Sequence, residues 1–253
     1  MPMLNSHEAT QFSITAGVNK ANFPFKKAFL LGILGGMFIG LGGLGSILAS
    51  NVLGPIGKFI GAFMFPVGLI MTSLVGGSIF TGNCLLGAAY FTKEISLKVY
   101  VKDLIICWFG NLVGAIFLSF LVVNAKFFTT PAFIDYTVHA AYNRTTLTFL
   151  EGVFSGFLCN VLVAGAVWLA YTAKDALGKI IACWFPVMLF VFLGFQHVVA
   201  NMTYLFVAKF LQPDIFTIGQ MITTNFIPVT IGNFLSGGIF LPLMYITIYK
   251  KAK

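Results

Sequence analysis

Residues 194–202 read GFQHVVANM, and the fold turns on how they are read. A glutamine, a histidine and an asparagine stand there inside a run, 180–208, that holds no Asp, Glu, Lys or Arg. Just upstream lies FPVML (185–189). A near copy, FPVGL, stands at 65–69, offset by 120 residues and followed by GGSIFTGNCLLG (76–87). Glycine, threonine and asparagine hold a helix poorly, so both apolar blocks lead into a polar interruption at corresponding depth. FLLGILGG (29–36) and FLEGVFSG (149–156) match at the same offset, and Gly-Asn recurs at 110–111 and 232–233, offset by 122. The chain is a duplication.

The composition names the solvent. Of 253 residues, 58% are hydrophobic and only 9% charged, where soluble domains carry about 25%, and the mean hydropathy is +0.95. Six stretches lack any Asp, Glu, Lys or Arg: 28–57, 59–92, 104–125, 152–173, 180–208 and 215–249. Each exceeds the roughly 20 residues that cross about 30 Å of hydrocarbon as a helix. The expectation is an all-α membrane protein of one domain, 1–253, with repeat halves at about 26–125 and 146–249. Three spans per half is an odd number, so the second half enters the membrane from the opposite side. The result is a 3+3 inverted repeat with helices 2 and 5 interrupted, the arrangement of many transporters. Non-helical backbone at that depth is tolerated only where protein buries it or where it lines a wet cavity. His197 and Asn201 are therefore expected where something polar passes.

The net charge of +8 follows the topology. Lys20, Lys26, Lys27, Lys93, Lys98, Lys102, Lys174, Lys179, Lys250, Lys251 and Lys253 fall on one side, against Lys58, Lys126, Arg144 and Lys209 on the other. The positive-inside rule places both termini in the cytoplasm, and no basic patch is left for nucleic acid. The N-terminus lacks the order of a cleaved signal, so span 1 is retained. Its approach, NFPFKKAFL, suits the membrane interface. Cys84, Cys107, Cys159 and Cys183 sit singly within apolar spans and read as core packers rather than a disulfide or metal framework. His7, in an N-terminal segment read as mobile, and His139, in a loop, have no companions at ligand spacing, so neither metal nor cofactor is expected. Gly32, Gly36 and Gly40 form a small-xxx-small face, expected to meet a neighbouring subunit.

No carboxylate stands at any span centre to partner His197, whereas cation transport calls for carboxylates or a carbonyl ring. Basic residues at the mouths suit a small anion. Two rivals remain: a membrane-embedded enzyme or sensor, which needs further convergent ligands, and a neutral-solute channel of aquaporin type, which would carry a pair of NPA motifs in place of TGN and ANM.

FPVGL, IFTGN, FGNLVGA, CNVLVAGAVWLAY, HVVANM and NFIPVTIGNFLSGG, taken in order, resemble the formate–nitrite transporter family over essentially the whole chain. The resemblance implies aquaporin-like protomers assembled as a homopentamer in the cell (plasma) membrane. Each protomer would have its own pore for formate, nitrite, hydrosulfide or related monovalent anions, without a cofactor or an enzymatic activity. It places the central histidine on His197 and the threonine of the interrupting loop on Thr81. Constrictions fall on Phe65 and Phe190 on the outer side, and on Leu69 and Ile79 below. Asn160 matches an asparagine near the central histidine, and Asn201 falls in the second break. Three positions depart from the family. Ile79 replaces the usual leucine. Gln196 stands where glutamate is common and removes an anionic orienter. Arg144 takes the place of an outer-vestibule lysine and keeps the charge without being able to lose its proton.

Energetics then favour the neutral acid as permeant. A bare anion in an apolar constriction faces a desolvation penalty of several kcal/mol, while the falling dielectric raises the pKa of the anion itself. Imidazole, with a reference pKa near about 6.5, suits either proton relay or pH sensing.

Overall fold

The protein, described by a computed structural model over residues 3–249, is helical and has no strand among those residues. Lys250, Lys251 and Lys253 of the expected basic face lie outside the described residues. The first half comprises α1 (Ser6–Ala21), α2 (Phe25–Val52), α3 (Gly57–Met64), α4 (Val67–Met71), α5 (Phe80–Asn83), α6 (Gly87–Phe91) and α7 (Leu97–Asn124). A short α8 (Pro131–Tyr142) leads into α9 (Phe149–Thr172), α10 (Ala176–Leu193) and α11 (Val198–Leu211), and then α12 (Ile218–Gln220), α13 (Ile227–Phe234) and α14 (Leu241–Tyr249). Among the described residues, six helical segments are long and apolar enough to cross a membrane: Phe25–Val52, Gly54–Gly76, Leu97–Asn124, Phe149–Thr172, Ala176–Leu193 and Ile218–Tyr249. The chain is a multi-pass membrane protein.

Local chemistry sets the helix ends. Ser96 and Asp175 cap α7 and α10, and Thr148 and Glu151 form a reciprocal capping box on α9. The second helix of each half breaks as the sequence implies. Gly76 (φ 106°) and Gly194 (φ 79°), 118 residues apart, each turn the chain through a backbone region open mainly to glycine. Helix resumes at Phe80 and at Val198, again 118 apart. The interruptions are thus short, 77–79 and 194–197. Thr81 and Asn201, expected inside the breaks, instead lie in the first turn of the restarting helices.

Freed peptide groups at both breaks are met by one device used twice. Asn111 of α7 donates from Nδ2 to Gly32 O (2.7 Å) and Ser78 O (2.8 Å), and its Oδ1 accepts from Phe80 N (2.8 Å). Asn233 of α13 donates to Gly156 O (2.7 Å) and Gln196 O (3.1 Å), and accepts from Val198 N (3.0 Å). These bonds equate Gly32 with Gly156, an offset of 124. The FLLGILGG and FLEGVFSG blocks, matched at 120, therefore stand one helical turn out of structural register.

Two expectations are corrected. The Gly32, Gly36 and Gly40 face is spent inside the protomer: a Cβ on Gly32 would sit 3.1 Å from Gly110 Cα, and one on Gly36 would collide with Asn111 O. It lets α2 lie close on α7, within reach of the Asn111 clamp. The N-terminal segment is also no mobile tail. Asn5 and Glu8 form a capping box on α1, which buries Ala9 and Ile14 against Leu85, Ala88, Ala89 and Trp168. Trp168 stacks on Tyr245 of α14 (4.5 Å, 21°), so both ends of the chain gather at one face. That face is called terminal below, and the other the opposite face. All four cysteines are buried and unpaired.

Candidate functional site

The two breaks meet at His197. The residue caps α11, its Nδ1 accepting from Ala200 N (3.1 Å), while Nε2 lies 2.9 Å from Thr81 Oγ1 on α5. A backbone N–H can only donate, so Nδ1 carries a lone pair and the proton of the neutral ring is on Nε2. Nε2–H therefore donates to Thr81 Oγ1, joining residues 116 apart in sequence. His197 is 2% exposed and Thr81 is fully buried.

Apolar side chains surround the pair. The rings of Phe65 and Phe190 meet edge to face (5.5 Å, 84°), and Phe190 stacks on the His197 ring (5.6 Å, 27°). Toward the terminal face, buried Leu69 and Ile79 form the inner end of a vestibule of about 820 Å³, which Lys20, Thr72, Lys174 and Lys179 also line. Phe65 and Phe190 thus adjoin the His197 ring, while Leu69 and Ile79 belong to the vestibule lining.

On the opposite face Arg144, in the turn after α8, donates from Nε to Asn201 Oδ1 (3.2 Å). Its Nη1 donates to Ala140 O, and the guanidinium lies over the Tyr204 ring, 4.2 Å from the centroid. Asn201 donates to Gln196 Oε1 (2.9 Å) and Asn225 Oδ1 (3.1 Å). Gln196 is therefore an uncharged acceptor for Asn201. Burial pushes the Arg144 guanidinium down from its ordinary value and Tyr204 works the other way; a guanidinium stays charged at neutral pH regardless.

Asn160 does not reach His197. Its Nδ2 donates to Asn233 O (2.7 Å) and Thr81 O (3.3 Å), so it fixes the backbone of α5 rather than facing the ring. Several residues of the site were not expected from sequence. Asn111 and Asn233 were visible as the repeated Gly-Asn pair without a role. Lys20 of α1 enters the vestibule and donates to Asn83 Oδ1 (2.9 Å), whose Nδ2 donates to Asp103 Oδ2 (2.9 Å). Burial pushes the Lys20 ammonium down, and the charge of Asp103 opposes that shift. No local signal marks Lys20, because it reads as one more interfacial cation.

This arrangement of two restarting helices meeting at a histidine has clear relatives. A family model described as formate/nitrite transporter matches residues 7–247. The chain is 35% identical over 253 residues to the formate channel BtFdhC of Bacillus thuringiensis, covering 96% of this chain and 95% of that protein. It is 32% identical over 257 residues to the formate channel FocA of Escherichia coli (strain K12), covering 92% and 90%. It is 40% identical over 250 residues to an uncharacterized transporter, YrhG, of Bacillus subtilis (strain 168), covering 96% and 93%. Among solved structures, a pentameric formate channel with formate bound superposes with a TM-score of 0.82 at 30% identity, covering 90% of this chain and 98% of that one. An FNT family ion channel superposes with a TM-score of 0.87 at 28% identity, covering 95% and 98%. The relatives named for what they do are channels and transporters, not enzymes, and over nearly its whole length the chain belongs to the formate/nitrite transporter family.

Proposed function

We propose that the protein carries a small monovalent weak-acid anion across the cell membrane, with formate the first substrate, nitrite next and hydrosulfide after it. The observation that carries this reading is the His197–Thr81 pair held between two apolar constrictions, with Lys20 and Arg144 beyond them. The cations gather the anion at each mouth. Between Phe65 and Phe190 the loss of water makes the charged form costly, so the anion takes its proton from the vestibule water, which keeps the hydroxide left behind, while the neutral His197 ring, its Nδ1 held by Ala200 N–H, serves with Thr81 as a fixed polar contact and gives up no proton. The neutral acid then passes the constriction and ionises again in the far vestibule.

The two halves of the chain act as one domain, since His197 and Thr81 come from different halves. Five copies assemble, as in the pentameric formate channel that this fold matches, and each has its own pore at its His197–Thr81 pair. The terminal face is cytoplasmic, because the lysines concentrate there.

Proteoliposomes loaded with a pH indicator and offered formate, nitrite or hydrosulfide test the reading. Each is expected to enter together with a proton, faster as the external pH falls, and without net charge movement. Uptake that draws a current and ignores pH would overturn passage as the acid. Flux of glycerol or urea in place of the anions would favour a neutral-solute channel.

A further inference from the structure

The polar chains flanking the two breaks are copies of one another, with a single change of charge. On the terminal face the order is Lys20, Asn83, Asp103; on the opposite face it is Arg144, Asn201, Asn225. Asn83 and Asn201 stand 118 residues apart, the offset of the two restarting helices. Asp103 and Asn225 stand 122 apart, the offset of the Asn111 and Asn233 clamps on the same two helical segments. In both chains the cation donates to the asparagine Oδ1, and the asparagine Nδ2 donates to the next residue. That last position is a carboxylate in one half and an amide in the other. The Arg144 side chain is otherwise met only by the Ala140 carbonyl and the Tyr204 ring, while Asn225 Nδ2 donates to Arg144 O (2.9 Å). No Asp or Glu closes that chain among the described residues.

Asn83, Asn201, Asp103 and Asn225 are all buried. There, a unit charge acts over several ångströms with far less screening than it would in water. The remaining vestibule cations, Lys174 and Lys179, belong to the turn and first helical turn around the start of α10 and not to the relay.

We propose that the position shared by Asp103 and Asn225 sets the charge that a permeant anion meets at each end of the constriction. Asp103 compensates Lys20 through Asn83, whereas Asn225 leaves Arg144 uncompensated. The two faces therefore load the anion with different strength although the cation–asparagine–acceptor order is the same. Asp103 is a positioning residue that acts through Asn83 and Lys20 without touching the permeant. This inference rests on the weak-acid-anion reading above and adds to it a residue that decides the sidedness of access.

The test is initial formate flux in proteoliposomes of a single selected orientation, with formate varied on either face to give two half-saturation concentrations. Asp103→Asn is expected to lower the value on the Lys20 face about three- to tenfold relative to the other, and Asn225→Asp to raise the value on the Arg144 face by a similar factor. The double exchange Asp103→Asn/Asn225→Asp moves the charge from one relay to the other and is expected to reverse the ratio of the two values. Asn225 already shows that an amide accepts this hydrogen bond, so a merely structural Asp103 predicts an unmoved ratio. A ratio that stays constant while the maximal rate falls, or that shifts equally on both faces, overturns the proposal. If Asn225→Asp fails to assemble, the ratio in Asp103→Asn decides alone. Wild-type protein that passes formate in neither direction overturns the transport reading and this inference with it, an outcome the variants are not needed to recognise.

Discussion

At His197 the two ring nitrogens have separate tasks, one fixed to the start of α11 and the other turned to Thr81. His197→Asn keeps an acceptor for the cap and loses the ring Nε2–H that donates to Thr81. Formate uptake is expected to slow by about tenfold or more at every pH, because the ring that donates to Thr81 and stacks on Phe190 is lost; initial rates across pH check this. Unchanged rate and profile in assembled protein would make His197 structural. Thr81→Val keeps the shape and removes the acceptor for Nε2–H, leaving a buried donor unpaired at a cost of about 1–3 kcal/mol. It is expected to melt lower and conduct more slowly, while Thr81→Ser restores both. Phe190→Ala removes the edge against Phe65 and the stack on His197. It is expected to raise lactate uptake relative to formate, which competition between labelled acids reads directly.

Among the elements, the broken helices depend on partners from other parts of the chain. Asn111 and Asn233 each answer two peptide groups that the break leaves free, Ser78 O and Phe80 N in one half and Gln196 O and Val198 N in the other, and tie them to a carbonyl of α2 or α9. Replacing either by Ala leaves those groups unpaired where no lipid can serve them, at about 1–3 kcal/mol apiece. Asn111→Ala and Asn233→Ala are expected to lower the melting temperature by similar amounts, measured by the heat stability of the detergent-solubilised protein. A loss confined to one variant would contradict the equivalence of the two clamps. Of these elements, the hydropathy of the chain announces the spans and the duplicated motifs announce both breaks. Helix α8 escapes it, standing where the sequence around His139 reads as a loop, and so do two further features. Helix α1 is only moderately apolar and declares itself by what it covers, Leu85, Ala88 and Trp168. The one-turn register shift between α2 and α9 is likewise hidden, because glycine and leucine recur too often in both for a letter match to fix the phase.

For the whole molecule, the glycine face of α2 is occupied within the protomer and is not free to meet a neighbouring subunit. Gly36→Ala drives a methyl group into the Asn111 carbonyl. It is expected to reduce the yield and heat stability of the folded protomer while whatever protein survives still assembles, whereas an interface glycine would give stable, dispersed monomers. Native mass measurement in mild detergent separates the two outcomes, and wild-type protein is expected as a pentamer. The sequence by itself determined the membrane as solvent, the number of spans, the inverted duplication and the central place of His197. Those properties are sums over neighbouring residues or identities between segments, and they survive in a string. Tertiary structure alone decided that Thr81 receives the His197 proton, that Asn160 serves the backbone, that the α2 glycines face α7, and that Lys20 meets Asp103 through Asn83. Each of these pairs groups far apart in the chain, 63 residues for Lys20 and Asn83 and 116 for Thr81 and His197. A hydrogen bond at 2.9 Å needs position and direction, which only the packed helices supply.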